Sequence, residues 1–252
     1  MSTYLLYLGI GEFEYIEDKL RNIKIRVVTT KGNKSKAKLS LELTKKFLGE
    51  YEKYFGIKYP LPKLDMLAIP DPDSLIQLPW NPEVAWLASD LVMDGKTVEQ
   101  CPRVILKRQI EKLDKHSMVM QSGVECEFFL LNEDGSEISD SRDLAAKPCY
   151  DQSMLMRRYD VIKEICDCML KLGWKPYQND HEDANGQFEM NWHYSDCLTT
   201  ADRHVFFKFM VKSIAEKHGF RATFMAKPFP ELTGNGCHAH VSVWDKKQKK
   251  NL

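Results

Sequence analysis

The first part of the chain shows two hydrophobic periods in succession. Alternating apolar and basic residues predict extended segments within residues 4–30, followed by a turn at residues 31–34. Apolar positions three and four apart then predict a helix that Ser35 caps and that ends near Gly56. Four prolines within residues 59–73 predict that much of this stretch lacks regular structure.

Beyond residue 74, predicted strands and helices alternate irregularly. The strand-like segments are residues 75–78, 84–92, 124–130, 187–192, 221–226 and 238–244, with a turn at Pro82 between the first two. The helix-like segments are residues 103–114, 153–172 and a last one that Thr199 or Thr200 caps and that runs to residue 218. In the first of these helices the residues expected to face inward are Val104, Ile105, Ile110 and Leu113. Gly173 and Gly219 stand where helix-ending glycines are expected. The pattern predicts an α+β fold.

Composition narrows the class of protein. The 252 residues are 43% hydrophobic and 29% charged, as in a soluble globular protein with a sizeable core. Lys plus Arg equals Asp plus Glu at 36 each, so no overall field favours nucleic acid or an anionic membrane. The amino-terminal segment lacks the features of a signal peptide or a membrane span, and a cytoplasmic location is expected.

The cysteines predict reduced thiols. They number seven and stand at positions 101, 126, 149, 166, 168, 197 and 237. An odd count without CxxC spacing argues against a disulfide framework and against a zinc knuckle.

Two glutamates share one face of the strand predicted at residues 124–130. The period of two places Glu125 and Glu127 on that face and Cys126 and Phe128 on the other. Neighbouring carboxylates repel each other unless a cation lies between them. The segment alone is also compatible with a solvent-facing edge strand that carries two glutamates without a specific role.

Two further segments add candidate ligands. Residues 179–189 crowd carboxylates around Gly186, and the strand that follows places Glu189 on a defined face, although acidic surface loops are common. After a glycine-rich turn, His238 and His240 share a strand face with Ser242. A lone histidine on a strand is usually structural, but two on one face favour a site. Carboxylates with one imidazole suit Mg²⁺ or Mn²⁺, and the lack of a thiolate cluster disfavours zinc.

Together these segments resemble the catalytic domain of glutamine synthetase. The likeness is strongest to type III glutamate–ammonia ligases and γ-glutamylmethylamide synthetases and covers about residues 70–252. The matching stretches are GVECEFFL (123–130), NDHEDANGQFEMNW (179–192), residues 200–228 and TGNGCHAHVSVWD (233–245), and PDPDSLIQLPWNP (70–82) is similar to the end of that family's amino-terminal β-grasp domain.

The resemblance implies two divalent metal sites, for Mg²⁺ or Mn²⁺, and ATP as a substrate. It assigns the first metal, which faces the substrate, to Glu127, Glu182 and Glu189. It assigns the second metal, which bridges the ATP phosphates, to Glu125 and His238.

The resemblance also implies a reaction. The γ-carboxylate of glutamate attacks the γ-phosphorus of ATP, and ammonia or a small amine then displaces phosphate from the acyl phosphate. Glu182 and Glu189 take the catalytic role, and acidic residues bind ammonium and help to remove its proton. His240 would lie near the phosphates, and Gly234 would let the backbone approach the amino-acid substrate. The sequence does not distinguish ammonia from methylamine.

The residues at which the likeness to the family begins and stops lead to expectations about the domains of the chain. Residues 1–69 resemble an M1-family zinc aminopeptidase without its GxMEN and HExxH motifs, which suggests a chimera and leaves no peptidase chemistry. Residues 70–115 would be a remnant of the β-grasp domain, and residues 116–252 a catalytic domain truncated at its carboxyl end. Family members continue beyond the histidine strand and often have Asn where this chain has Thr233. Little or no turnover is therefore expected, and the family's ring assembly is in doubt.

Two alternatives to the ligase remain. A non-catalytic protein of the glutamine synthetase fold, with a structural or binding role, would have no physical reason to keep paired carboxylates on one strand face. A peptidase would need an HExxH helix, which the sequence lacks.

Overall fold

The computed structural model describes residues 13–30, 37–58, 67–93, 96–247 and 250–252. The predictions for residues 4–12, for the turn at 31–34, for the Ser35 cap and for residues 59–66 lie outside these ranges. The chain forms two compact units, one of Met1–Pro70 with Ser89–Glu99 and one of Asp71–Ala88 with Gln100–Leu252. The domain limits at residues 69 and 115 stay predictions.

Strands and helices alternate irregularly along the chain, as the sequence predicts. The strands are β1 (Phe13–Leu20), β2 (Ile23–Thr30), β3 (Leu67–Pro70), β4 (Ile76–Leu78), β5 (Asn81–Trp86), β6 (Ser89–Met93), β7 (Lys96–Thr97), β8 (Met118–Leu131), β9 (Pro176–His181), β10 (Gln187–Trp192), β11 (Ser195–Asp196), β12 (Arg221–Thr223) and β13 (Cys237–Asp245). The helices are α1 (Ala37–Phe55), α2 (Pro102–Lys115), α3 (Gln152–Met156), α4 (Tyr159–Lys171) and α5 (Cys197–Lys217). The α+β class is confirmed.

The first unit contains a hairpin with a helix packed on it. Strands β1 and β2 pair antiparallel, and Ile23 and Ile25 form a small core with Leu41 of α1. The predicted alternation and the predicted helix are therefore confirmed. Of the proline-rich stretch 59–73 the structure describes residues 67–73, where β3 pairs with β6 in a three-stranded sheet ordered β3-β6-β7. Pro70 ends an edge strand, where a missing backbone donor is tolerated.

The second unit is organised around β8. This strand pairs antiparallel with β10 and β11 along one edge and with β12 and β13 along the other, and β9 extends the sheet beyond β10. Helices α4 and α5 cover one face, where Cys126, Phe128 and Met190 join the main hydrophobic core. The opposite face of the same strands carries the polar residues of the candidate site.

Several predicted boundaries in this unit are wrong. Pro82 lies inside β5, and the predicted strand 84–92 divides into β5 and β6. Ile105 of α2 was expected inside but is 44% exposed. Asp196, not a threonine, caps α5, because its side chain accepts a hydrogen bond from the Thr199 backbone N–H at 2.9 Å.

The predicted helix 153–172 is divided into α3 and α4 at Arg157 and Arg158. Arg157 donates a 2.6 Å hydrogen bond from Nη2 to Asp140, and Arg158 donates one of 3.0 Å from Nε to the hydroxyl of Ser139. These tertiary contacts accompany the break, which no glycine or proline marks.

All seven cysteines are free thiols, as predicted. Within the described ranges, the helices fall short of the combined length and apolarity that crossing a membrane requires.

Candidate active site on the polar face of the sheet

Strand register brings the predicted carboxylates and histidines to one face. Glu189 of β10 pairs with Glu127 of β8 and with Asp180 of β9, and His238 of β13 pairs with Glu125. Directly paired residues of antiparallel strands point to the same side of the sheet. The sequence prediction that Glu125 and Glu127 share a face is confirmed, with Cys126 and Phe128 buried behind them.

Glu125, Glu189 and His238 converge closely enough to hold one cation. One ligand atom from each lies within 4.8 Å of the others. Glu125 also lies between two imidazoles, with Oε2 3.4 Å from Nδ1 of His238 and Oε1 3.0 Å from Nε2 of His240. Glu189 is buried whereas both histidines are exposed, so the group opens to solvent on the side of β13.

Glu127 and Glu182 lie outside this group by the same distance criterion, applied to the described residues. Oε2 of Glu127 accepts hydrogen bonds from Gln187 Nε2 at 3.0 Å and from the Gly236 backbone N–H at 2.9 Å. The carboxylate of Glu127 is therefore held toward the turn that precedes β13. Within this distance the structure brings Glu189 together with Glu125 and His238, and the assignment of Glu127, Glu182 and Glu189 to one metal stays a prediction.

The pKa values of Glu182 and Glu189 are both raised above the ordinary value of a glutamate. Burial, with the neighbouring carboxylates of Glu189 and Glu127, raises the pKa of Glu182 to about 7. Burial also raises the pKa of Glu189, with contributions from Glu125 and Glu127, although a hydrogen bond from Asn191 opposes the shift. Such a cluster either retains protons or is neutralised by a cation.

A buried network that the sequence analysis missed supports the loop bearing Glu182. His181 is 1% exposed, and its ring nitrogens lie 2.8 Å from Asp143 Oδ2 and 2.9 Å from the carbonyl oxygen of Glu182. Both partners are acceptors, and the ring is held between the carboxylate of Asp143 and this carbonyl oxygen. Asp143 also accepts from Asn185 Nδ2 at 3.0 Å and from the Gly186 N–H at 2.6 Å.

The pKa of Asp143 fits this pairing. Burial favours the protonated carboxyl, but the hydrogen bonds from His181, Asn185 and Gly186 outweigh it and hold the pKa below its ordinary value. No local pattern in the sequence signals Asp143, because its partners lie about forty residues further along the chain.

Gly234 is required by the protein's own backbone. A Cβ at this position would lie 2.4 Å from the carbonyl oxygen of Ala226. The Gly234 carbonyl oxygen accepts from Gln187 Nε2 at 3.0 Å, and the same amide lies 2.9 Å from Oδ1 of Asn235. The turn before β13 is thus joined to the amide that also contacts Glu127.

A cleft of about 550 Å³ adjoins the cluster of Glu125, Glu189 and His238. It is lined by Glu125 and His240 together with Tyr177, His193 and Tyr194, among others. His240, predicted to lie near phosphates, therefore faces a cavity large enough for part of a small-molecule substrate.

A second group of potential ligands lies on the opposite face of β8 and β13. One ligand atom each of Cys126, His204 and Cys237 lies within 4.8 Å of the others. The expectation that the chain lacks a thiolate cluster is therefore wrong. It was based on spacing along the sequence, whereas this pair of cysteines is brought together by strand pairing.

Comparisons with known proteins are consistent with this geometry. The family model described as "Glutamine synthetase, catalytic domain" matches residues 99–252. A glutamine synthetase of Rhizobium leguminosarum bv. phaseoli is 68% identical over 181 residues, which cover 72% of this chain and 42% of the relative.

Two further matches are a curated ligase and a solved structure. A glutamate–methylamine ligase of Methyloversatilis universalis is 38% identical over 190 residues, covering 75% of this chain and 42% of that protein. A solved structure described as a GmaS/ADP complex is 64% identical, covers 75% of this chain and 44% of that chain, and superposes with a TM-score of 0.73. The chain thus spans about two fifths of the length of the curated relatives it matches.

Proposed function

Because the chain belongs to the glutamine synthetase family, we propose that it carries part of the active site of an ATP-dependent ligase that joins glutamate to ammonia or a small amine. The proposed reaction passes through a γ-glutamyl phosphate. The named ligases among the relatives support this chemistry, and both acceptors occur among them. One observation carries the proposal: the convergence of Glu125, Glu189 and His238 on one face of the sheet.

The side chains present fit a divalent cation. Carboxylate oxygens with one imidazole are a donor set that Mg²⁺ and Mn²⁺ accept. Burial, together with the neighbouring carboxylates, raises the pKa of Glu182, and a cation would neutralise that negative charge. We propose Glu125, Glu189 and His238 as ligands, with Glu127 and Glu182 completing two sites. Bound cations would screen the charge of the ATP phosphates and align donor with acceptor.

The remaining roles follow from placement. His240, beside Glu125 at the cleft, would contact phosphate oxygens. Glu182 and Glu189 would take the catalytic role by holding the cation that faces the substrate, and acidic side chains near the cleft would bind the incoming ammonium and help to remove its proton. Gln187 would position Glu127 and the turn at Gly234 in one arrangement.

Calorimetric titration with Mn²⁺ tests the site. Glu125→Gln and Glu189→Gln should each weaken Mn²⁺ binding by at least about tenfold, since each removes a charged ligand of the proposed site. Glu133→Gln, in an exposed turn, is the matched control and should bind like the unaltered chain. Equal Mn²⁺ affinity in the unaltered chain and the three variants would refute the proposal.

Activity is tested separately by ATP-dependent formation of γ-glutamyl hydroxamate, with ammonia and methylamine compared as acceptors. Low turnover of the 252-residue chain, a cytoplasmic location and the doubt about ring assembly stay predictions. Metal binding without turnover would support the site alone, whereas turnover comparable to that of a full-length relative would refute the expectation of low activity.

A further inference from the structure

Two thiols meet across the strand pair on the helix-covered face of the sheet. Cys126 of β8 and Cys237 of β13 are direct antiparallel partners, and the Glu127 N–H donates to the Gly236 carbonyl oxygen at 3.3 Å. That bond joins the residues beside the pair, so the two cysteines occupy a position where facing side chains approach closely. Cys126 is 2% exposed, whereas Cys237 is exposed.

Helix α5 places an imidazole beside these thiols. The helix face over β8 is fixed by Thr200, whose hydroxyl donates to the Ser122 carbonyl oxygen at 2.7 Å, and by the fully buried Phe207. His204 lies between them at helical spacing and therefore on the same face.

The Nδ1 atom of His204 is shielded from solvent and has no hydrogen-bond partner among the described residues. Leaving a buried polar atom without a partner destabilises the fold, so such an atom in a native structure calls for an explanation.

We propose that Cys126, His204 and Cys237 bind one thiophilic cation of the Zn²⁺ class. Zinc–sulfur and zinc–nitrogen distances of about 2.3 and 2.0 Å place tetrahedral ligand atoms roughly 3.3–3.8 Å apart, within reach of the 4.8 Å grouping. Three protein ligands leave a fourth position for water, and the exposure of Cys237 gives the cation a path to the site. Each thiol that becomes a ligand releases its proton to the solvent.

This site would lie on the face of β8 and β13 opposite to the cluster of Glu125, Glu189 and His238. Cys126 is flanked by Glu125 and Glu127, and Cys237 precedes His238. A cation that joins β8 to β13 on the helix side would therefore fix the strand register that sets His238 opposite Glu125. The softer donors of one face and the harder donors of the other would select different metals.

Cadmium titration of the fully reduced chain tests the proposal, because thiolate–Cd²⁺ bonds absorb in the near ultraviolet and carboxylate ligation does not. One equivalent of Cd²⁺ should produce the thiolate–Cd²⁺ absorption band in the unaltered chain and in Glu125→Gln. The second variant changes only the cluster of Glu125, Glu189 and His238 on the other face. Cys237→Ser should lose at least half of the absorbance and bind at least about tenfold more weakly, and His204→Ala should bind more weakly by a similar factor. Cys166→Ser, a half-buried thiol of α4, is the control and should behave like the unaltered chain.

Three results would overturn the proposal. The first is the absence of a thiolate band, and the second is a band that persists unchanged in Cys237→Ser. The third is the titration of only five of the seven thiols before reduction, because it would assign Cys126 and Cys237 to a cross-strand disulfide. Tryptophan fluorescence verifies that each variant folds, and Cys237 is exposed, so its substitution leaves the core intact.

Discussion

Replacing Asp143 with asparagine should destabilise the second unit strongly. The substitution keeps the shape of the side chain but removes the charge opposite His181 and places an amide donor among three other donors, at 2.6, 2.8 and 3.0 Å. Asp143 is 3% exposed, so solvent cannot replace the lost acceptor. Hydrogen bonds to a charged group contribute about 1.5–3 kcal/mol each, and the substitution weakens three of them at once. We therefore expect the free energy of unfolding to fall by about 3 kcal/mol or more.

Urea unfolding followed by tryptophan fluorescence measures this loss, because all five tryptophans belong to the second unit. Asp134→Asn is the matched control. Asp134 is exposed and accepts the Ser136 N–H at 2.8 Å in a turn, so its replacement should change the free energy of unfolding much less. A loss at Asp143 no larger than the loss at Asp134 would refute the stabilising role of the buried carboxylate of Asp143.

The same variant has a second readout in metal binding. Asp143 accepts the Gly186 N–H and holds His181, which contacts the carbonyl oxygen of Glu182. Loss of a group that orients a ligand typically weakens metal affinity by about 10–100-fold. Mn²⁺ affinity should fall in Asp143→Asn, and it should not change in Asp134→Asn.

Acid sensitivity and backbone conformation give two further predictions. The hydrogen bonds of Arg157 hold the pKa of Asp140 below its ordinary value. The pair therefore stabilises the fold at pH values above the unfolded pKa of about 3.9. This stabilisation is lost as the pH falls through the lower pKa of the folded state. The melting temperature of Asp140→Asn should therefore be lower at neutral pH and fall less on acidification; an unchanged pH profile would contradict this. Gly186 has φ +72°, and an added Cβ would lie 2.8 Å from the side chain of Ile138, whereas Gly173 has φ +70° with open space around it. Gly173→Ala should cost about 1–2 kcal/mol of unfolding free energy and Gly186→Ala clearly more, and equal losses would show that the clash relaxes freely.

Local periodicity predicted which residues share a face but not which residues meet. The alternation along β8 was enough to place Glu125 and Glu127 together, because side-chain direction in a strand depends only on position. The pairing of His238 with Glu125 depends on the register of two strands that lie more than a hundred residues apart. That register is set by packing of the whole sheet, which a single sequence does not display.

The undivided helix predicted over residues 153–172 and the omission of Asp143 have the same physical cause. The break between α3 and α4 occurs at two arginines with good helix propensity, whose side chains bind Asp140 and Ser139 of a preceding loop. Such tertiary hydrogen bonds override local preference. The same holds for Asp143, which stands in an irregular loop and gains its importance only where the chain returns with His181.

The position of β8 between two sets of partners also constrains how the gene can vary. Inserting or deleting a single codon within this strand would reverse the orientation of every side chain beyond it, and would drive two acidic groups into an aromatic interior while expelling Phe128. The cost of burying unpaired charge would far exceed what a small domain can tolerate. Differences in length between homologous sequences should therefore accumulate in the turn at residues 132–137, whereas β8 itself can vary only by exchange of one residue for another.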